Sequence, residues 1–164
     1  MIYKSYIIEQ NNNLMEKSSS ILFYGENLGL QDEFKNKIKK LNYQKEFINF
    51  SQDEILKNEN LLIDEIQNVS LFGKEKIFFV NQVSDKIFKI IEKILNKDIN
   101  SGIFLFANLL EKKSKIRNYY EQSKQFGIVP CYPDNEISLK KIILNRLKSF
   151  EGLNPYNLNL ILSS

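Results

Sequence analysis

Short apolar runs alternate with longer amphipathic segments along most of the chain. The runs cover residues 21–24, 47–50, 77–80, 103–106 and 128–131, and four of the five are nearly continuously apolar and rich in Ile, Val and Phe. Runs of this kind are typical of strands that are buried on both faces of a parallel sheet. The pattern therefore predicts five strands.

The segments between these runs have the spacing of helices. Phe34, Ile38 and Leu41 recur at intervals of three and four residues, and residues 55–66 carry a similar stripe. Such a stripe predicts a helix with one buried face. Strands that alternate with helices form right-handed βαβ units. Residues 1–133 are therefore predicted to form a doubly wound α/β domain with a mostly parallel, five-stranded sheet.

The pattern changes after the fifth run. Pro130 and Pro133 interrupt the chain, and an apolar stripe at helical spacing then extends over residues 137–150. Pro155 suits the first turn of another helix. Residues 134–164 are therefore predicted to be the beginning of a small helical domain, which the sequence leaves incomplete.

The composition is that of a globular domain, and it excludes several classes of enzyme as the function of the chain. Hydrophobic residues make up 43% of the 164 positions and charged residues 26%, which is enough apolar material for one core. The chain has no histidine and a single cysteine, Cys131. This excludes the commonest general base, the histidine-activated nucleophiles, an internal disulfide and the cysteine-rich or histidine-bearing zinc sites. We expect no catalytic residue, no metal and no cofactor.

Charge and hydropathy place further limits on the partners. The chain has no apolar stretch of about 18 residues and no signal-peptide pattern, so we expect a cytoplasmic protein without a membrane partner. The net charge is +3, and two of the 23 basic residues are arginine. Because arginine is the residue best suited to bidentate contacts with bases and phosphates, contact with DNA is expected to be indirect or weak.

The first strand of a doubly wound domain is where a phosphate-binding loop would follow. Such a loop needs a glycine, four residues, and then Gly-Lys-Ser/Thr. Gly25 and Gly29 are one residue too close, no Lys-Ser/Thr pair follows, and Glu26 and Asp32 would repel phosphate. We predict a tight strand-to-helix turn that does not bind nucleotide. A small nucleotide hydrolase with an unusual loop stays open as an alternative.

The end of the third strand lacks the acid that such a hydrolase uses to hold magnesium. Asn81 and Gln82 stand there instead, and neutral amides do not supply the charge that the cation requires. The predicted nucleotide site is therefore degenerate at two of its strands.

Leu71 and Phe72 lie in the predicted connection to the third strand, where apolar residues are least expected. They either pack against the neighbouring helix, as in a plain scaffold domain, or form an exposed plug that enters a pocket on a partner. In the second interpretation Gln67 supplies an orienting hydrogen bond, and the adjacent Leu and Phe are the anchors. The residues alone leave both interpretations open.

Three segments resemble DNA polymerase III delta subunits. Residues 21–27 are similar to the strand and turn that open these subunits, and residues 69–77 to their Ser-Leu-Phe-Gly segment and the basic strand after it. Residues 109–115 are similar to the Leu-Asp/Glu-Lys stretch that follows the fourth strand, and Cys131 falls where the family often has a cysteine. The order and spacing of these segments make the resemblance more specific than any one of them.

The resemblance implies an AAA+-like fold with a degenerate nucleotide site, in a non-catalytic clamp-loader subunit that acts in DNA replication. The holoenzyme of such a subunit is a DNA-directed DNA polymerase, a nucleotidyltransferase. The family's Gln-x-x-Ser-Leu-Phe motif assigns clamp binding by position to Gln67, Ser70, Leu71 and Phe72. Leu71 and Phe72 would enter a hydrophobic pocket of the sliding clamp. The implied partners are the sliding clamp and the other loader subunits.

Overall fold

The computed structural model describes a nearly continuous α/β unit and parts of the remaining chain. It describes Tyr3, residues 18–68, 73, 75–97 and 101–133, and then Leu139, Lys140, Ile143, Leu144, Leu147, Asn154, Asn157 and Leu160. Two compact units are present, Met1–Cys131 and Tyr132–Ser164. The assignment of the second unit as the start of a helical lid domain stays a prediction.

Strands and helices alternate through the first unit. The strands are β1 Ser20–Tyr24, β2 Glu46–Ser51, β3 Lys76–Asn81, β4 Gly102–Ala107 and β5 Gly127–Pro130. The helices among the described residues are α1 Leu28–Leu41, α2 Gln52–Lys57, α3 Leu61–Gln67, α4 Phe88–Leu95 and α5 Lys115–Gln122, with a 3-10 turn, Asp85–Ile87, directly before α4. The predicted α/β class and its five strands are confirmed.

All five strands pair in parallel, in the order β2-β3-β4-β1-β5. β1 lies between β4 and β5, and all five of its residues are buried. β2 forms one edge, and its residues are intermediate or exposed, which agrees with the polar Asn49 in its apolar run. The continuous apolar runs thus belong mainly to the strands that have a neighbour on both sides.

Successive residues of β1 point to opposite faces of the sheet, so the strand contributes to two separate cores. Phe23 packs on one face with Phe34 of α1, at a centroid distance of 5.0 Å, and with Phe106, at 5.1 Å. Leu22 and Tyr24 pack on the other face. Among the described helices, α1 covers the first face and the other four cover the second.

The stripe over residues 55–66 belongs to two short helices rather than one. Ser51 caps α2 in a capping box with Glu54, and the helix ends at Lys57 because Asn58 leaves the helical conformation. No helix among the described residues is long and apolar enough to cross a membrane.

Candidate functional site

The crevice of this fold lies at the carboxyl ends of β1 and β4. The chain leaves β1 toward the face that α1 covers, and it leaves β4 toward the opposite face, where α5 packs. Adjacent strands whose connections diverge in this way form the topological switch point, where open α/β sheets bind ligands. The loop with Gly25 and Gly29 therefore stands at the position where a nucleotide would bind.

Backbone amides of this loop are directed at other parts of the protein. The Gly25 N–H lies 3.2 Å from the carbonyl oxygen of Ala107, and the Asn27 N–H donates to the carbonyl of Cys131 at 3.0 Å. The Asn27 side chain caps α1 by accepting from the Leu30 N–H at 3.0 Å. A phosphate-binding loop needs such N–H groups free to face the ligand. Because Gly25 and Asn27 already donate to carbonyl oxygens, this loop has fewer N–H donors for a phosphate than a phosphate-binding loop has.

Gln31 closes the crevice from the side of α1. Its amide nitrogen donates to the carbonyl oxygens of Gly25, at 3.0 Å, and Ala107, at 2.9 Å. The side chain is 4% exposed. A buried amide that joins the two strand ends satisfies carbonyls that would otherwise lack partners. A ligand that entered between the strand ends would have to break both hydrogen bonds.

The two glycines of the predicted loop have different structural roles. Gly25 has φ +138°, and a Cβ there would lie 2.1 Å from the carbonyl oxygen of Cys131. Gly29 lies in the first turn of α1, where a Cβ would meet the Asn27 side chain at an ordinary 3.6 Å. Gly25 is thus required for the close approach of two backbone segments. The prediction that this loop does not bind nucleotide stays a prediction, and the geometry supports it.

The ends of β3 and β4 are linked to their neighbours. The Asn81 side chain donates to the carbonyl of Phe50 at 3.3 Å, so it joins β3 to the edge strand. Gln82 takes a left-handed conformation, with φ +58°. The N–H of Val83 then donates to the carbonyl of Phe106 at 2.9 Å. The polar residues after β3 therefore shape a turn.

Asp85 is an acid near the end of β3 that the sequence analysis did not single out. Its carboxylate accepts from the Ser114 hydroxyl at 2.7 Å and from the N–H groups of Lys115, at 3.0 Å, and Ile116, at 3.1 Å. Burial raises the pKa of this carboxyl, but these hydrogen bonds outweigh it and the pKa is lowered overall. Asp85 thus caps α5 from another segment, and its sequence neighbours give no sign of that partner.

Arg117 is a second residue that the sequence analysis missed. Its guanidinium donates to the Glu121 carboxylate at 2.8 Å and to the carbonyl of Leu110 at 2.9 Å, and it stacks 4.9 Å above the Tyr24 ring. The Arg117 side chain is 15% exposed. A partly buried guanidinium with these contacts orders the loop between β4 and α5.

Of the four predicted clamp-binding residues the structure describes Gln67, whereas Ser70, Leu71 and Phe72 lie outside the described residues. Gln67 is the last residue of α3, and its side chain is exposed. The Asn68 N–H still donates to the carbonyl of Asp64 at 2.8 Å. α3 is therefore regular up to the point where the predicted motif begins.

Ion pairs hold the two ends of the connection between α3 and β3, which covers residues 68–75. The ammonium of Lys76, the first residue of β3, lies 3.0 Å from the Glu65 carboxylate and 3.2 Å from the Glu65 carbonyl oxygen. Glu75 accepts the N–H of Glu46 at 2.9 Å and pairs with Lys45 at 2.9 Å. These contacts place both ends of residues 68–75 at the amino edge of the sheet, opposite the crevice.

A parallel sheet in the order β2-β3-β4-β1-β5, with the loop after β1 hydrogen-bonded to the ends of the neighbouring strands, defines a doubly wound α/β domain. The curated proteins include a probable DNA polymerase III subunit delta from Rickettsia prowazekii (strain Madrid E), to which the chain is 26% identical over 133 residues. The match covers 80% of this chain and 40% of that protein. The resemblance to DNA polymerase III delta subunits is thereby confirmed.

Solved structures agree on the fold. The Bacillus subtilis DNA clamp loader delta protein (YqeN) superposes with a TM-score of 0.65 at 12% identity, over 88% of this chain and 47% of that one. A Rhizobiales Trip13 superposes with a TM-score of 0.56 at 10% identity, over 97% of this chain and 65% of that one. The chain therefore spans less than half the length of both delta proteins, 40% of one and 47% of the other. No model of a known protein family matches the chain.

Proposed function

We propose that the chain is a non-catalytic clamp-loader subunit that binds the sliding clamp through Gln67, Ser70, Leu71 and Phe72. The observation that carries this proposal is the sequence match to a DNA polymerase III delta subunit over 133 residues. It is supported by a fold shared with a clamp loader delta protein. The other loader subunits and, indirectly, DNA are proposed as further partners.

The anchoring of the connection between α3 and β3 supports the proposed clamp site. Lys76 is fixed to Glu65 on one side, and Gln67 ends α3 with an exposed side chain on the other. Gly73 has φ +65°, a left-handed turn that glycine adopts without strain. A connection held at both ends loses less conformational freedom on binding than a free loop does. Burial of Leu71 and Phe72 in a pocket would contribute about 1.5–3 kcal/mol each.

The geometry of the crevice supports a subunit that does not hydrolyse nucleotide. Gly25 and Asn27 direct their amides at carbonyl groups, and Gln31 joins the strand ends. Asp85 is engaged by the first turn of α5 and does not face the crevice as a free acid. These contacts argue against the alternative of a small nucleotide hydrolase. Any ATP-dependent step would then be carried out by another subunit.

The experiment that tests the proposal is a pull-down with the sliding clamp of the same organism. We expect the chain to retain the clamp, and the double variant Leu71→Ala/Phe72→Ala to lose binding by at least about 100-fold, because two interface anchors are removed. The matched control is Tyr43→Ala/Leu109→Ala, which removes two exposed apolar side chains elsewhere and should bind as the wild type does.

Two results would count against this assignment. Retained clamp binding in Leu71→Ala/Phe72→Ala would show that the anchors lie elsewhere. A large fall in the free energy of unfolding of that variant, without a change in clamp affinity, would show that the two side chains are buried in the protein. In that case the scaffold interpretation of the connection would be the better one.

A further inference from the structure

A groove with an apolar floor lies on the face of the sheet that α2, α3 and α4 cover. Its volume is about 260 Å³, which is below the usual size of a cofactor pocket. Leu56 of α2, Ile63 of α3 and Ile90 of α4 form its floor. Ile63 and Ile90 also contact the core beneath them. The groove thus exposes the outer sides of apolar residues that the fold already holds in place.

Lysines line the α4 side of the groove. Lys86, Lys89 and Lys93 follow one another at intervals of three and four residues, so they share one face of the 3-10 turn and α4. All three are exposed, and Glu59 is the acid that lines the groove with them. Within the part of the chain that the structure describes, none of these lysines forms an ion pair. The groove therefore combines a positive rim with an apolar floor.

We propose that this lysine groove binds an acidic amphipathic helix from a partner protein. A helix places apolar residues on one stripe and carboxylates beside it, which matches the floor of Leu56, Ile63 and Ile90 and the rim of lysines. Helix-in-groove recognition needs both features. The partner's carboxylates would supply the counter-charges for Lys86, Lys89 and Lys93, and so raise the association rate at low salt.

The same observations disfavour a nucleic acid as the occupant. Among the described residues that line the groove there is neither an arginine nor an aromatic side chain, although these residues provide the stacking and bidentate contacts of nucleic-acid sites. The lysines of the rim can contact phosphates, but the apolar floor adds no hydrogen-bonding partner for the sugars and bases. Gln67 is not among the described residues that line the groove, although Ile63 precedes it by one turn of α3.

The test uses the full chain and a fluorescein-labelled synthetic peptide, read by fluorescence anisotropy. The peptide has about 16 residues, enough to form a helix on binding, with leucines on one stripe and glutamates on both sides of it. We expect Lys86→Glu/Lys89→Glu/Lys93→Glu to weaken binding about tenfold or more, since it reverses the charge of the rim. Leu56→Ser, which changes the floor without touching the core, should also weaken it.

Matched controls separate a specific groove from a general charge effect. Lys40→Glu/Lys112→Glu/Lys124→Glu makes the same change in net charge at exposed positions elsewhere, and it should bind the peptide as the wild type does. A peptide of the same composition in scrambled order should bind at least several-fold more weakly. Leu71→Ala/Phe72→Ala should keep full peptide affinity, so that a failure of the clamp proposal and a failure of this one give different results.

Three outcomes would overturn the inference. The first is no binding of the ordered peptide at concentrations up to the millimolar range. The second is equal binding by the wild type and the variant with the reversed rim. The third is binding of a labelled oligothymidylate through Lys86, Lys89 and Lys93 in the absence of peptide binding, which would assign the groove to nucleic acid.

Discussion

At the scale of single residues, the switch point of this fold is closed by a glycine and a glutamine. Gly25 allows the loop to touch the backbone of Cys131, and Gln31 links the carbonyls of Gly25 and Ala107. The spacing of the glycines predicted a degenerate loop that includes Gly25. The role of Gln31 was not predictable in this way, because a glutamine in an amphipathic helix carries no local sign that it is buried.

Gly25 and Gly29 provide a direct comparison at this scale. Gly25→Ala places a methyl group against the Cys131 carbonyl at a φ of +138°, so we expect a loss on the order of 3 kcal/mol in the free energy of unfolding. Gly29→Ala adds a methyl group in the first turn of α1 and should change stability by less than about 1 kcal/mol, toward greater stability. Urea denaturation of both variants measures the difference between their free energies of unfolding. Equal losses of stability in the two variants would show that the loop is not packed against Cys131.

At the scale of elements, α1 and α2 have local caps, whereas contacts with other segments hold α3 and α5. Asp85, four residues after β3, caps α5, and Lys76 at the start of β3 holds α3 through Glu65. Helical periodicity predicted the apolar faces of these elements because that pattern is local. It did not predict the Asp85 and Lys76 contacts, because each of them joins two separate elements.

The Asp85 cap should make stability depend on pH. Its pKa is lower in the folded protein than in the unfolded chain, so the ionised carboxylate stabilises the fold above about pH 4, the pKa of an ordinary aspartate. This contribution is lost as the pH falls through the folded pKa. At pH 7, Asp85→Asn should lower the free energy of unfolding by about 1 kcal/mol, because a charged cap is replaced by a neutral one.

Urea denaturation from pH 7 to pH 2.5 measures this dependence. The difference in the free energy of unfolding between the wild type and Asp85→Asn should become smaller as the pH falls below 4. Glu26→Gln, a change of the same charge at an exposed position in the loop after β1, is the control. A difference between the wild type and Asp85→Asn that is constant with pH would mean that the charge of Asp85 does not act on α5.

At the scale of the whole molecule, the two ends of the parallel sheet carry different features. The carboxyl ends of β1 and β4 meet at the closed crevice with Gln31, whereas the amino ends of β2 and β3 hold the connection that carries the proposed clamp motif. The ends of the connection that carries the proposed motif thus lie away from the position where a nucleotide would bind. The proposed function therefore does not require an occupied crevice.

Added ATP should leave the stability of the chain unchanged. A ligand present at 100 times its dissociation constant stabilises the folded state by about 2.7 kcal/mol, which corresponds to several degrees in Tm for a protein of this size. We expect no rise in Tm with millimolar ATP and magnesium, because the amides of Gly25 and Asn27 are already directed at carbonyl groups. A rise of several degrees, absent when AMP replaces ATP, would restore the nucleotide-hydrolase interpretation.

The sequence by itself determined the elements and the chemistry that is excluded. Continuous apolar runs specified the buried strands, helical stripes specified the covering faces, and the lack of histidine removed whole classes of catalyst. The tertiary structure alone decided the strand order, the closure of the crevice by Gln31 and Cys131, and the lysine groove beside α4. The physical reason is the distance along the chain over which each feature is set. Periodicity is a local property that reflects the burial of each residue, whereas these features depend on which distant segments the fold brings together.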